Sequence, residues 1–176
     1  MTKKILAVVL LLVAGFVIYA ASRPDDFRVS RSIAIAAPPS AVFPHVNDLR
    51  EFQKWSPWAK MDPQTKVTYE GPASGVGSSF TWQSAKTGEG TMALSESRQD
   101  EFIRFMLVFR KPFKATNTAE FTFKPDGNGT LVTWSMYGRN NFIAKAMGVF
   151  MDCDKMIGGP FEQGLADLKT LSEAKP

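Results

Sequence analysis

The sequence predicts an α+β fold in which a curved antiparallel sheet wraps around one long C-terminal helix, preceded by one transmembrane helix. Three observations support this prediction. The chain opens with an uncharged apolar stretch, continues with strand-like alternation over residues 66–138, and closes with helical periodicity over residues 141–173. A half-apolar sheet and an amphipathic helix bury their apolar surfaces by packing against each other.

The N-terminal stretch is predicted to be a membrane element. Residues 5–21 carry no charged side chain, Lys3 and Lys4 precede them, and Arg23 follows. As a helix, this stretch reaches about 25 Å, which is the short end of what crosses a bilayer. A cleaved signal peptide is the alternative, because Ala20 and the small residues after it resemble a cleavage site.

The domain that follows this helix is expected to lie outside the cytoplasm. Lys and Arg accumulate on the cytoplasmic side of a membrane helix, and the two N-terminal lysines therefore favour an inside N-terminus. We expect a single-pass inner-membrane protein of a bacterium whose domain faces the periplasm, or a secreted domain if the signal is cleaved. The expected boundaries are 1–22 for the anchor or signal, 23–26 for a linker and 27–173 for the domain.

Charge and cysteine content argue against two classes of function. The chain has 176 residues, a formal net charge of +4, and Cys153 and His45 as its single cysteine and histidine. The basic residues are scattered, whereas nucleic-acid binding needs a concentrated basic face, so we expect no nucleic-acid partner. A lone cysteine allows no intrachain disulfide and no cysteine-based metal site, and we expect neither metal nor cofactor.

The domain begins with a predicted strand at residues 27–36, followed by a short helical region from residue 41. The Trp-Ser-Pro-Trp segment at 55–58 is predicted to end that region as a rigid loop. Strands then follow one another. Residues 102–110 separate most clearly into an apolar and a polar face, and Asp-Gly-Asn-Gly at 126–129 is typical of a hairpin turn.

The C-terminal stretch is predicted to be a long amphipathic helix. Apolar residues recur at intervals of three and four between residues 141 and 173. The Gly158-Gly159-Pro160 sequence is expected to kink or break this helix.

A large apolar face is predicted between the sheet and this helix, and it is the predicted ligand site. Large side chains either fill such a space or wall a cavity. The indole N–H groups of Trp82 and Trp134 need partners when buried, and a ligand is one candidate. The predicted lining residues are Trp55, Trp58, Phe80, Trp82, Met92, Phe105, Phe109, Phe121, Trp134, Met147, Phe150 and Met151. Trp55 and Trp58 either gate the cavity mouth or plug the core beneath the first helix.

Two residues are candidate proton donors or acceptors. Asp154 falls on the apolar face of the helix, where burial would raise the pKa of its carboxyl group. The alternative is that it turns to solvent or pairs with an arginine. His45 is the obvious acid–base residue by type, and a packed or surface histidine is the alternative. No catalytic constellation is recognisable in the sequence.

Five segments resemble a known family. They are Ala-Pro-Pro-Ser-Ala-Val-Phe at 37–43, Trp-Ser-Pro-Trp at 55–58, the glycines of 71–77, Gly-Thr-Leu-Val-Thr-Trp at 129–134 and the helix at 161–169. Together they resemble the polyketide cyclase/dehydrase and lipid-transport branch of the START/birch-pollen-allergen (SRPBCC) superfamily, over residues 27–171. The resemblance implies a helix-grip fold with a cavity for a hydrophobic or amphipathic small molecule.

Three functions remain open on this reading, because one fold hosts carriers, cyclases and hydrolases. The leading hypothesis is a binding module that holds a lipid-like molecule beside the membrane, as carrier, chaperone or sensor. The alternative is a cyclase, dehydratase or hydrolase that uses Asp154 or His45. The second alternative is a domain with a solid core that binds a partner through its surface.

Overall fold

The computed structural model describes residues 2–150 and 152–174, apart from the side chain of Cys153. Within these residues the chain forms seven strands and seven helices. The strands are β1 (Asp26–Ile35), β2 (Lys66–Glu70), β3 (Ser79–Ser84), β4 (Gly88–Arg98), β5 (Phe102–Lys111), β6 (Ala115–Asp126) and β7 (Gly129–Arg139). The helices are α1 (Thr2–Ala21), α2 (Pro39–Val42), α3 (Pro44–Asn47), α4 (Leu49–Trp55), α5 (Pro57–Met61), α6 (Phe142–Met147) and α7 (Cys153–Glu173).

The strands form one antiparallel sheet in the order β1-β7-β6-β5-β4-β3-β2. Successive strands from β2 to β7 are neighbours, and β1 closes the order beside β7. Apolar residues alternate with polar ones, as on β6, where the inward residues are buried and their neighbours less so. The α+β, helix-grip architecture predicted from the sequence is therefore confirmed.

The turns and strand ends form two rows, one at each end of the strands. We call these rows the proximal edge and the distal edge, according to their distance from α1. The proximal edge contains the start of β1, the end of β7 and the β5–β6 turn, as the registers of β1 with β7 and of β6 with β7 require. The distal edge contains the β6–β7 turn and the β4–β5 turn. Only residues 22–25 separate α1 from β1.

The core lies between the inner face of the sheet, the C-terminal part of α7 and the short helices α2–α5. Phe161 of α7 is fully buried and stacks on Trp134 of β7, with ring centroids 4.0 Å apart. Gly164 permits this approach, since a Cβ there would lie 3.0 Å from both Trp134 and Pro57. The helix thus packs tightly against β7 and the start of α5.

Two predicted helical regions differ in detail from the structure. The first is divided into four short helices, and the Trp-Ser-Pro-Trp segment is a junction between α4 and α5 rather than a terminating loop. Prolines at 39, 44 and 57 each begin a helix, because a proline is favourable in the first turn and unfavourable further inside. In the C-terminal region, α6 ends at Met147 and α7 begins at Cys153, while α7 continues through Pro160.

The N-terminal apolar helix is present. Among the described residues, α1 together with Ser22 is the helix that is long and apolar enough to cross a membrane, although a signal sequence has the same length and composition. Its apolar side chains are exposed along most of its length. Near its C-terminal end, Ala20 is buried and Phe16 stacks on Phe150, with ring centroids 5.7 Å apart.

Candidate functional site

The inner face of the sheet changes in side-chain size along its strands. On β6 the inward positions near the proximal edge are Ala115, Asn117 and Ala119, and those towards the distal edge are Phe121 and Phe123. Alternate residues of a strand share one face, so this series forms a continuous strip along β6 on the inner face of the sheet. The proximal half therefore has a floor of small side chains, and the distal half is filled.

Aromatic and aliphatic side chains wall the proximal half on the β3–β5 side. Trp82 and Phe109 meet edge to face over Gly90, with ring centroids 5.5 Å apart. A Cβ on Gly90 would lie 2.3 Å from the Trp82 ring, so only glycine allows this arrangement. Trp82, Phe109 and the neighbouring Leu107 are only partly buried. They present apolar surface to the concave space.

The distal half is closed by four of the predicted lining residues. Trp55, Phe105, Phe121 and Trp134 are each at most 2% exposed. Their rings form a contiguous cluster, in which Phe121 and Trp134 stack with centroids 4.8 Å apart. The Trp55 indole donates to the His45 carbonyl oxygen at 2.8 Å. Trp55 therefore lies in the core beneath the short helices, as the plugging alternative predicted.

Three further predicted lining residues lie between these halves. Phe80 and Met92 face each other across β3 and β4 and are buried. Trp58 of α5 is partly buried and contacts the rings of both Trp134 and Phe161 edge to face. Trp58 thus covers the cluster from the helix side. Its outer part remains accessible.

The indole N–H of Trp134 is buried and has no hydrogen-bond partner within the described part of the chain. Trp134 itself is 2% exposed. An unpaired buried N–H costs about 1–3 kcal/mol, which a polar acceptor placed beside it would recover. Because the atom lies within the packed aromatic cluster, it is not accessible from the proximal half, and the ligand contact suggested by the sequence for this residue stays a prediction.

Asp154 is an ion-paired surface residue. Its carboxylate accepts hydrogen bonds from Arg31 of β1 at 2.7 and 3.0 Å, and its side chain is 58% exposed. The bond to Arg31 holds the pKa of this carboxyl below its ordinary value. Arg31 also donates to Glu162 at 2.6 Å. The raised pKa expected for an apolar environment is therefore wrong, and the arginine-paired alternative is what forms.

His45 lies on α3, away from Asp154. Its Nδ1 is 3.5 Å from a carboxylate oxygen of Glu51 and makes no hydrogen bond among the described residues. Glu51 in turn accepts a hydrogen bond from Lys54, and that bond is the main reason the pKa of Glu51 is lowered. Asp154 is therefore held by Arg31, whereas His45 lies beside the Glu51–Lys54 pair, and the structure does not bring the two candidate catalytic residues together.

Two predicted lining residues occupy a different surface. Met147 ends α6 and is 38% exposed, and Phe150 is 79% exposed and lies against Phe16 of α1. The sequence placed both on the face enclosed by the sheet. The difference arises because the chain leaves its helix after Met147, which turns Phe150 towards α1. Met151 lies outside the described residues.

Two surface hollows flank the concave face. A groove of about 490 Å³ runs between the linker, β1 and α6 and is lined by residues that include Phe27, Lys145 and Val149. A shallow hollow of about 420 Å³ lies between α5 and α7, beside Pro57 and Pro160. No group of three or more His, Cys, Asp or Glu side chains suited to a metal ion occurs among the described residues.

Sequence reasoning missed the residues that give the concave face its shape. Ala115, Asn117 and Gly90 were not predicted, because large apolar side chains are the usual sign of a lining and these three residues are small. The sequence does contain a sign of this shape, because the inward side chains of β6 change from small to aromatic between Ala119 and Phe121. Arg31 was overlooked because a charged residue on an otherwise apolar strand face was not expected.

A concave sheet with an apolar inner face, closed on one side by a C-terminal helix, defines the class of helix-grip domains. Residues 26–173 match the family model described as polyketide cyclase/dehydrase and lipid transport. The chain therefore belongs to this family. No curated protein matches the sequence.

Solved structures show the same fold at low sequence identity. Protein CV1439 from Chromobacterium violaceum is 18% identical, with a TM-score of 0.61, over 87% of this chain and 100% of that one. The Aha1 dimer from Colwellia psychrerythraea is 15% identical, with a TM-score of 0.60, over 84% and 96%. Protein MLL2253 from Mesorhizobium loti is 16% identical, with a TM-score of 0.58, over 82% and 96%.

Proposed function

We propose that this protein is a membrane-tethered binding domain that holds a hydrophobic or lipid-like small molecule as a carrier, chaperone or sensor. The observation that carries the proposal is the partly exposed proximal half of the concave face. There, the small side chains of Ala115 and Asn117 lie on the strand beside Leu107 and Phe109, which are only partly buried, as is Trp82. Concave apolar surfaces with few polar groups are typical of small-molecule sites.

The chemistry of the surrounding residues favours an amphipathic ligand. Leu107 and Phe109 offer contact to an apolar body, and the side-chain amide of Asn117, on the strand beside them, offers one polar group. Only a few polar groups are needed to orient a ligand whose affinity comes from apolar burial. Trp82 and Phe109 are thus the predicted lining residues that we assign to direct contact. Trp55, Phe105 and Phe121 support the site from the packed half.

The membrane part of the proposal rests on α1. Residues 5–21 form its uncharged apolar segment, and we propose that they span the inner membrane once, with the domain on the periplasmic side. Carbonate extraction of membranes from a bacterial host, followed by mass measurement of the purified chain, tests this directly. A chain that keeps residues 1–22 and stays in the membrane pellet supports the anchor, and a chain that lacks them indicates a cleaved signal.

Binding is favoured over catalysis by the positions of the candidate catalytic groups. Asp154 is engaged by Arg31, and His45 of α3 lies beside Glu51 of α4. Neither side chain is on the proximal half of the concave face. A proton-transfer role would require at least one of them within hydrogen-bond reach of a ligand bound there.

The experiment that tests the binding site is a size change on its floor. The full chain, in mild detergent, is titrated with the apolar dye anilinonaphthalenesulfonate, and native mass spectrometry records any apolar molecule that co-purifies. Ala115→Phe fills the floor with an aromatic ring, so we expect at least a tenfold loss of dye affinity and loss of the co-purified molecule. About 1.4 kcal/mol of lost contact suffices for a tenfold change.

The matched control is Thr116→Phe, the same substitution on the adjacent residue of β6. Thr116 faces away from the concave side and is exposed, so its variant is expected to bind the dye as the unmodified chain does. Equal binding by both variants would place the dye elsewhere on the molecule. A chain that binds no dye and carries no apolar molecule would remove the proposal, and the solid-core alternative would take its place.

A further inference from the structure

We propose that α6 and the turn after it, residues 142–150, form a second membrane contact that inserts into the lipid leaflet beside α1. The inference rests on α1 being the membrane anchor of the proposed function. It goes beyond that function, because it assigns an interfacial role to a part of the folded domain. The occupant of this surface is the bilayer that holds α1.

The first observation is unusual exposure of apolar side chains on this short segment. Phe142, Ile143, Met147 and Phe150 are 48%, 51%, 38% and 79% exposed. No residue of α6 is buried, so packing of this helix into the core does not account for its apolar side chains. Contiguous exposed apolar side chains on a folded domain mark an interaction surface.

The second observation fixes where this surface lies. Phe150 stacks on Phe16, which lies five residues before the last residue of α1. At about 1.5 Å per residue, the Phe150 ring is level with a point about 8 Å inside the end of the apolar helix. Interfacial helices bury their apolar face about 5–10 Å into the boundary between headgroups and acyl chains. With α1 in a bilayer, Phe150 is at that depth.

Polar contacts hold α6 at this level. Lys145 donates to the Ala21 carbonyl oxygen at 3.2 Å and pairs with Asp25. Arg23 donates to the Gly148 carbonyl oxygen at 3.2 Å. These bonds join both sides of the segment to the last turn of α1 and to the linker. The segment is therefore positioned against α1 by groups that remain at headgroup level while Phe150 extends beyond them.

The proximal and distal edges of the sheet differ in charge, and the more basic edge is the one on the side of α1. At the proximal edge, the β5–β6 turn carries Arg110, Lys111 and Lys114 around Phe113, which is 49% exposed. Lys111 pairs with Glu89, and Arg139 at the end of β7 pairs with Asp25 and Asp26, so Arg110 and Lys114 are the cations of this edge that make no ion pair among the described residues. The distal turns carry the acidic residues Glu70, Asp100, Glu101 and Asp126, which outnumber the basic residues Arg98 and Lys124 at the same strand ends. Basic residues near a membrane are attracted to anionic headgroups. The edge that faces α1 is thus the edge suited to an anionic leaflet.

The test measures depth in the membrane at three positions. The full chain with Cys153→Ser is reconstituted in vesicles of phosphatidylethanolamine and phosphatidylglycerol. A single environment-sensitive fluorophore is attached through Phe150→Cys, Leu12→Cys or Val76→Cys. Val76 is the control, because it is apolar, 58% exposed and lies in the distal β2–β3 connection. Quenching by nitroxide lipids and by aqueous iodide is recorded for each.

We expect the label at Phe150 to be quenched by shallow nitroxide lipids several-fold more than the label at Val76, and to be protected from iodide. The label at Leu12 reports the anchor and is expected to be quenched by deep nitroxide lipids. If Leu12 is quenched and Phe150 behaves as Val76 does, the second contact is wrong and the anchor stands. If Leu12 is not quenched, the anchor itself fails, and this inference fails with it.

Two further outcomes separate lipid from protein as the occupant. A Phe150 label that is protected from iodide and from nitroxide lipids alike is covered by protein, such as a second copy, and this overturns the inference. Ile143→Asp, made in the Phe150-labelled chain, is expected to lower the lipid quenching several-fold. Val76→Asp in the same chain should leave it unchanged. Because both positions are exposed, neither substitution disturbs the core.

Discussion

Arg31 is a charged residue on the inner side of β1, where its neighbours Val29 and Ile33 are apolar. The residue is accommodated because α7 supplies Asp154 and Glu162, both within hydrogen-bond distance. These bonds raise the pKa of the guanidinium further above its ordinary value, so it stays charged throughout the physiological range. The ion pairs join the first strand to the final helix.

Gly158 provides the space for this guanidinium. A Cβ at this position would lie 2.0 Å from an Arg31 Nη atom. Alanine in a helix interior is ordinarily more favourable than glycine by about 0.5–1 kcal/mol. We expect Gly158→Ala to lower the Tm nevertheless, because it displaces the guanidinium from both carboxylates. In an Arg31→Ala background the same substitution should raise the Tm, since only the helix preference remains.

Thermal unfolding of the four chains in mild detergent measures this double-mutant cycle. The opposite sign of the Gly158→Ala effect in the two backgrounds is the diagnostic result. Equal effects in both backgrounds would mean that the glycine does not accommodate Arg31. Gly159→Ala is the control, because a Cβ there meets nothing within 4 Å.

At the scale of elements, α7 has two parts with different surroundings. Phe161, Leu165 and Leu168 of its C-terminal part are at most 1% exposed. In its first turns, Asp154, Lys155 and Met156 are exposed. Local opening of a helix requires less free energy where few apolar contacts are lost. The stability of the first turns of α7 therefore depends on the Arg31 ion pairs and on a ligand bound to the proximal half.

Hydrogen exchange measured by mass spectrometry tests this division of α7. We expect amides of residues 161–168 to exchange at the rate of global unfolding, and those of 154–157 to exchange faster through local opening. Dye binding on the proximal half should slow exchange at 154–157 and leave 161–168 unchanged. Uniform protection along α7 would show that the helix opens as a single unit.

Strands were more predictable than helices in this chain. β5 was recognised because Ile103, Phe105, Leu107 and Phe109 alternate with polar or exposed residues, and half-burial in a sheet imposes that period. The separation of α6 from α7 was not predicted, because Ile143, Met147 and Phe150 keep helical spacing across the end of α6. Spacing alone does not tell whether an apolar residue faces the sheet or a second apolar helix.

The candidate site was predictable in composition and not in position. Its aromatic residues were recognised because alternate residues of each strand point inward, and this two-residue repeat is visible in the sequence. Which half of the face is packed depends on where α7 and the short helices cross the sheet. That crossing is a long-range property, seen in contacts such as Trp134 with Phe161, and no local sequence period encodes it.

Acid stability is a property of the whole molecule. Asp62 is 7% exposed and accepts hydrogen bonds from Ser84 Oγ at 2.6 Å and from the Gln64 N–H at 3.1 Å. The Ser84 bond is the main cause that holds the pKa of Asp62 below its ordinary value. Lys145 likewise lowers the pKa of Asp25, and Arg31 that of Asp154.

These carboxyl groups have lower pKa values folded than unfolded, so their contribution to stability is complete above the unfolded value and is lost as pH falls through the folded values. We expect the Tm to be flat between about pH 7 and pH 5 and to fall below about pH 4. Asp62→Asn should make the acid loss shallower, while Asp126→Asn, in the exposed β6–β7 turn, should not. A Tm that rises on acidification would contradict the assignment.

The four residues between α1 and β1 limit how far the domain can move away from α1. Fully extended, a segment of this length spans at most about 14 Å, and Arg23 is already bonded to Gly148. If α1 is the membrane anchor proposed above, a domain on so short a tether cannot cross an aqueous compartment to meet a second membrane. On that proposal, a bound molecule must come from the leaflet that holds α1 or from a protein that collides with the domain, so ligand exchange is confined to that membrane surface.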